Sequence, residues 1–294
     1  MRPDVAPATT VDPQRVDVVV DGCRTATFCY GPPDAPTVLA LHGFRGTHFG
    51  LDPLARALVR HGFRVIAPDA PGCGVSERLT RPHDVDGFTA WFAAFARACG
   101  EPATLLGHSF GSVVVAAAAS RELRPRHVVL VNPVASLPLK GVSRAAASLA
   151  RTFYAAAGRL PERAGHALLA HRMGARVSAA VMTTTRDRSL RRWIRDEHLR
   201  QVGAFADRES VLQQYRAASL ATVVPFAPTL TCPTLIIGAG RDQLSPVSAV
   251  QGLGALVPEA SVHILPGQGH LIPYEAPDAA ASLISSWVVD QQPT

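Results

Sequence analysis

Apolar and polar positions follow two rhythms along the first part of the chain. Arg15 to Asp21 and Arg24 to Tyr30 are short alternations rich in β-branched and apolar residues, and Asp21-Gly22 between them predicts a β-hairpin. Pro36 to Leu41 is an apolar run ending in His42-Gly43 and reads as a strand. From Leu51 to His61 the residues Leu51, Leu54, Ala55, Leu58 and Val59 fall at helical spacing, and Gly62 stops the run. Phe63 to Ala67 predicts the next strand, ending at Pro68-Asp69. A helix around Phe88 to Cys99, a strand Ala103 to Leu106, a helix from Phe110 to about Glu122 and a strand His127 to Val131 follow. Strands separated by single helices pair in parallel through right-handed crossovers, so the expected class is α/β, a sheet with helices on both faces.

After Asn132-Pro133 the strand rhythm stops. Val142 to Gly158, Glu162 to Met182 and Ser189 to Ala204 are helical in period, with Leu190, Trp193, Ile194 and Val202 along one side of the last. The sheet resumes at Pro233 to Gly238, followed by a helix near Pro246 to Leu256, a strand Ser261 to Leu265 and a final helix Pro277 to Val289. The pattern divides the chain into a flexible N-terminal segment, 1–14, a core made of 15–132 and 229–294, and an all-helical insertion, 133–228.

Composition narrows the class. A chain of 294 residues that is 47% hydrophobic has room for a substantial core. Met1 to Gln14 lacks a basic and then apolar leader pattern, and no apolar run reaches about 18 residues, so a cytoplasmic protein without a transmembrane segment is expected. Cys23, Cys29, Cys73, Cys99 and Cys232 have neither paired spacing nor neighbouring histidines, which points to buried thiols rather than zinc or disulfides. Lys140 is the only lysine among 29 basic residues. Residues 133–228 hold 15 basic and 6 acidic side chains, the rest 14 and 17, so the net charge of +6 arises in the insertion. That field suits an anionic or carrier-bound small-molecule substrate, or is a solvated arginine face; no nucleic-acid-binding module accompanies it.

The candidate chemistry centres on Gly107-His108-Ser109-Phe110-Gly111, a Gly-x-Ser-x-Gly pattern between an expected strand and an expected helix. There the backbone turns sharply and the hydroxyl projects from the carboxyl edge of the sheet, in front of a helix N-terminus. A serine hydroxyl needs a histidine to take its proton and an acid to orient that histidine. Asp242, in Gly240-Arg241-Asp242, and His270, in Gly267-Gln268-Gly269-His270, each follow an expected strand end. Parallel strands gather their carboxyl ends on one edge, so Ser109, Asp242 and His270 are expected to converge.

In these residues and their order the chain resembles the α/β-hydrolase superfamily over about residues 24 to 290, through His42-Gly43-Phe44, Pro68 to Ser76, the Ser109 elbow, Asp242 and Gly269-His270. The resemblance implies a mostly parallel eight-stranded sheet flanked by helices, with the insertion as a cap over the site. It implies an oxyanion hole from the backbone N–H groups of Phe44 and Phe110, and no metal or organic cofactor. His42 and His108 are expected in structural or pocket-lining roles, and Asp69 in a structural turn. No acid directly follows the strand ending at Val131, where some members keep theirs, which favours Asp242. Ser112 stands where many members have a second glycine. The implied activity is cleavage of a carboxylic ester or thioester through an acyl-enzyme. Alternatives on the same residues are carbon–carbon bond hydrolysis, cofactor-free haloperoxidation, a lyase reaction, or a catalytically weak ligand receptor. Epoxide hydrolases and haloalkane dehalogenases generally carry aspartate at the elbow, so Ser109 counts against both.

Overall fold

The expected hairpin opens the sheet: β1 (Gln14–Val20) and β2 (Cys23–Tyr30) pair antiparallel across a turn in which Asp21 and Gly22 both adopt positive φ. The structure is a computed structural model that describes residues 12–137 and 141–291. The expected N-terminal segment therefore lies outside the described residues as far as residue 11, and β1 already begins at Gln14.

Next come β3 (Thr37–Leu41), α1 (Asp52–Arg60), β4 (Arg64–Pro68), α2 (Val85–Ala98), β5 (Thr104–His108), α3 (Phe110–Arg121) and β6 (His127–Val131). Among the described residues five helices follow without a strand: α4 (Gly141–Arg159), α5 (Glu162–Leu169), α6 (Arg172–Met182), α7 (Arg188–Arg200) and α8 (Arg208–Leu220). The chain returns through β7 (Thr234–Ala239), α9 (Val247–Gly254), β8 (Ala260–Leu265), the one-turn α10 (Ile272–Glu275) and α11 (Pro277–Asp290). The eight strands lie in the order β1-β2-β4-β3-β5-β6-β7-β8, with β2 antiparallel to both neighbours and β4 to β8 joined by parallel pairings.

Alternation along the central strands builds two cores. Leu39, Leu41, Leu105, Leu130 and Ile236 meet α2 and α3 through Phe88, Phe92, Phe95 and Val113. Val38, Ala40, Leu106, Val129 and Ile237 point to the other face, against Leu54 and Leu58 of α1 and Ile284 and Trp287 of α11. Helices cover both faces, which is why the central strands carry apolar residues at consecutive positions rather than only at every second one.

Three departures from the expected elements have local causes. The run expected from Glu162 to Met182 is two helices, because the chain leaves helical geometry at His171, whose Nδ1 accepts the Met173 N–H and starts α6. Helix α2 starts at Val85, before Phe88, where Asp84 caps it by accepting the Gly87 N–H at 2.8 Å. Helix α8 was not expected; Asp207 caps it through the N–H and hydroxyl of Ser210. All five cysteines are free, Cys23 and Cys73 buried and the others half-buried. Among the described residues no helix is long and apolar enough to cross a membrane.

Candidate active site

The carboxyl ends of β3, β5, β6, β7 and β8 open on one edge, and each contributes a residue there. Ser109 follows β5, in the middle of the sheet, with φ 54° and ψ −122°, a region that costs a residue with a Cβ on the order of 1–3 kcal/mol. Its neighbours explain how the chain tolerates this. A Cβ on Gly107 would stand 2.5 Å from the Gly111 carbonyl oxygen, and one on Gly111 would stand 2.3 Å from that of Leu41. Both glycines are therefore required by close backbone approach between β5, α3 and the end of β3. Ser112, beneath them, donates its hydroxyl to the Ser109 carbonyl at 2.5 Å and accepts the Val134 N–H, tying the elbow to the start of the insertion.

The structure brings the three expected side chains together. The Ser109 hydroxyl lies 2.8 Å from His270 Nε2, and His270 Nδ1 lies 2.9 Å from Asp242 Oδ2. The neutral imidazole accepts from Ser109 at Nε2 while Nδ1–H donates to the carboxylate. Asp242 is buried, and four donors fill its two oxygens: His270 and Asn132 Nδ2 (2.9 Å) on Oδ2, and the N–H groups of Leu244 (2.8 Å) and Ser245 (3.1 Å) on Oδ1. Burial opposes its charge most strongly, but the His270 imidazole and these donors together hold its pKa below the ordinary carboxylate value. Asp242 is thus an anion that can fix the tautomer of His270 and stabilise its protonated form.

Across β3 the backbone is arranged with similar economy. His42 Nε2 accepts the Ala70 N–H at 2.9 Å, so its Nδ1 carries the proton and donates to the Gly43 carbonyl at 2.8 Å. Gly46 N–H donates to the same oxygen at 3.0 Å. Because the peptide is planar and trans, anchoring the Gly43 carbonyl turns the Phe44 N–H the opposite way. Gly43 packs directly on the serine: a Cβ there would stand 3.4 Å from Ser109 Oγ. Phe110 is the first residue of α3, so its N–H has no partner within the helix. Among the described residues neither N–H has an acceptor in the protein. Asp69 is taken up by His48, whose backbone N–H and ring Nδ1 both reach Oδ1 at 2.8 Å, and so it does not join the Ser109 group. The Phe44 ring meets Tyr154 of α4 and Tyr215 of α8, which stack on each other at 3.9 Å between centroids. Among the described residues no three His, Cys, Asp or Glu side chains gather as a metal site.

A sequence profile described as the alpha/beta hydrolase family matches residues 38–283. The chain belongs to the alpha/beta hydrolase family. This hydrolase is 30% identical over 270 residues to "Haloalkane dehalogenase 2" of Mycobacterium tuberculosis, an alignment covering 85% of this chain and 86% of that protein. It is 36% identical over 101 residues to "Probable oxidoreductase EphD" of the same organism, and there the match spans 17% of the relative's length and 32% of this chain. Among solved structures it resembles carboxylesterase CesB from Bacillus subtilis with a TM-score of 0.76 and 18% identity, over 96% of this chain and 93% of that one, a likeness of fold.

Two residues that hold the Ser109, His270 and Asp242 group in place were legible only in part. Asn132 stands at the end of β6, where the expected reading noted the lack of an acid; its positive φ of 44° suits asparagine, and its side chain holds Asp242 instead of replacing it. It also accepts the Ile272 N–H and donates to the Gly269 carbonyl, so one amide joins β6, the acid and the histidine loop. His108 Nε2–H donates to the His270 carbonyl at 3.0 Å, and burial drives the pKa of His108 down to about 3. The unfolded chain takes up a proton here near pH ~6.5 and the folded hydrolase does not. Stability is therefore expected to decline by about 1.4 kcal/mol per pH unit below ~6.5 on account of His108 alone. Asp242 acts in the same direction: its contribution is present above the ordinary carboxylate range and lost as the pH falls through its depressed pKa. Denaturant unfolding across pH 5 to 7 measures the slope, and His108→Gln, which keeps a donor for the His270 carbonyl, should flatten it by about one proton. An unaltered slope would remove His108 as its source.

Proposed function

We propose that this hydrolase cleaves a carboxylic ester or thioester through an acyl-enzyme formed on Ser109. The observation that carries this reading is the continuous hydrogen-bonded series from Ser109 Oγ through His270 to Asp242. His270 Nε2 takes the hydroxyl proton as Ser109 attacks the acyl carbonyl. The Phe44 and Phe110 N–H groups form the oxyanion hole, where one such donor contributes about 3 kcal/mol to the transition state. His270 returns the proton to the departing alcohol or thiol, then deprotonates the water that releases the acid and regenerates Ser109. Asp242 keeps the imidazole in the tautomer both steps need. The helical insertion serves as a cap over this edge, with Tyr154 and Tyr215 beside Phe44. Its net positive charge suits a small anionic or carrier-bound acyl substrate, although Arg172, Arg176, Arg188, Arg191 and Arg192 are exposed to solvent.

The relative named as a haloalkane dehalogenase raises a second reading, displacement of halide from carbon. Chemistry at Ser109 disfavours it. A serine oxygen that displaces halide leaves an alkyl ether, which a histidine-activated water does not hydrolyse, whereas an acyl ester on the same oxygen turns over. One panel separates the two: a p-nitrophenyl acyl series, an acyl thioester and a primary alkyl bromide. A burst of p-nitrophenol equal to the enzyme concentration, with Ser109 labelled by a fluorophosphonate, is the expected outcome. Steady halide release without an acyl burst would replace the acyl-transfer reading.

A further inference from the structure

Glu275 closes α10, five residues beyond His270, and its carboxylate accepts four hydrogen bonds from two separate parts of the chain. Oε2 accepts the N–H of Gly269, the residue before His270, at 2.8 Å, and the Thr184 hydroxyl at 2.9 Å. Oε1 accepts the N–H groups of Thr184 at 2.6 Å and Thr185 at 3.0 Å. Thr184 and Thr185 lie between α6 and α7, within the helical insertion. A carboxylate offers about four acceptor sites, so Glu275 is fully engaged, and it is engaged by the insertion and the histidine loop at once.

The packing is as close as the hydrogen bonding. A Cβ on Gly269 would stand 2.5 Å from both Cγ2 and Oγ1 of Thr184, so only glycine lets the insertion seat against the loop. From the core side the same loop is held by Asn132 on the Gly269 carbonyl and His108 on the His270 carbonyl. Core contacts fix the two carbonyls, and the Gly269 N–H is fixed by Glu275, whose carboxylate is in turn held from the insertion by Thr184 and Thr185. If the insertion lifts, Glu275 loses three of its four donors and keeps only the Gly269 N–H, so the carboxylate that holds the residue before His270 is itself no longer held in place.

We propose that Glu275 is a positioning residue that couples the seating of the helical insertion to the placement of His270. A seated insertion completes the serine–histidine–acid alignment, and a lifted one relaxes it, so substrate that closes the insertion assembles its own catalyst. The effect on rate rests on the acyl-transfer reading; the coupling itself does not.

The test compares the full-length protein with Glu275→Gln and Thr184→Val. Glutamine keeps the size but presents an amide NH₂ to two donors. Valine keeps the shape of Thr184 and its N–H while deleting only the hydroxyl, on a residue outside the proposed serine–histidine–acid group. The readouts are hydrogen exchange at the Gly269 amide and the separation of kcat from KM for p-nitrophenyl acetate. In both variants Gly269 should exchange faster. In Glu275→Gln kcat should fall about tenfold with KM within about twofold, the mark of misplaced chemistry rather than lost binding. A folded Glu275→Gln protein with unchanged kcat overturns the positioning role. Should that variant not fold, unaltered Gly269 exchange in Thr184→Val overturns the coupling. Faster Gly269 exchange in Thr184→Val, in a protein whose wild type does not turn over esters, leaves the coupling standing and removes the acyl-transfer reading instead.

Discussion

Replacing Ser109 with alanine should lower kcat for p-nitrophenyl acetate by about 10⁶-fold without unfolding the protein. The hydroxyl makes a single side-chain hydrogen bond, to His270 Nε2, so its removal leaves few groups unsatisfied in a half-buried position. The expected loss is that large because the proposed nucleophile, base and acid act as one unit: without the oxygen, the imidazole has nothing to deprotonate but water. Residual turnover of about 10³ to 10⁴ over the uncatalysed reaction is expected from the oxyanion donors and binding alone. Alanine at this position inherits the backbone strain of φ 54° and ψ −122°, whereas glycine relieves it. Ser109→Gly should therefore be as inactive as the alanine variant yet more stable than the parent by about 1–3 kcal/mol in denaturant unfolding. Turnover by either variant near the parental rate would exclude Ser109 as nucleophile. An unchanged or lowered stability of the glycine variant would show that the elbow is not strained.

The sheet was largely legible because its grammar is local. Short apolar runs ended by His42-Gly43, Pro68-Asp69 and Asn132-Pro133 mark strand ends, and the strand ends place Ser109, Asp242 and His270 on one edge through topology alone. The insertion was less legible, since its helices are amphipathic over only part of their surface and their boundaries depend on single caps. His171 splits an apparently continuous helical run, and Asp207 starts α8 within a stretch whose apolar positions, Val211, Leu212 and Tyr215, are legible only once the cap is noticed. What escaped most completely were contacts between distant segments. Asn132 and Glu275 reach the proposed site through side chains from β6 and α10, and no spacing in the sequence announces that their partners are Asp242 and Thr184. His42 shows the intermediate case: the His-Gly pair is visible as a motif. Its work, fixing one carbonyl so that the next N–H faces the other way, depends on a tautomer set by Ala70.

Asp242→Asn should cost about 10⁴-fold in kcat, and the hydrogen bonds around the carboxylate say why. Both oxygens now accept two hydrogen bonds each, and all four partners are donors. An asparagine has one acceptor oxygen and one NH₂ group. The Leu244 and Ser245 N–H groups are fixed backbone donors, so the amide oxygen must face them, and the NH₂ is left facing Asn132 and His270. Asn132 can relieve the clash by rotating its amide only by giving up the Ile272 N–H and the Gly269 carbonyl. His270 relieves it by moving its proton from Nδ1 to Nε2, and in that tautomer it can no longer accept the Ser109 proton. The variant should fold, since its volume is unchanged, and should still bind substrate, so the loss appears in kcat with KM within a few-fold of the parent. Raising the pH should restore activity only as far as Ser109 ionises without a base, which gives a rate that climbs with hydroxide where the parent's has levelled. A kcat within tenfold of the parent, with its pH profile preserved, would show that Asp242 does not set the tautomer and that the orienting group for His270 lies elsewhere.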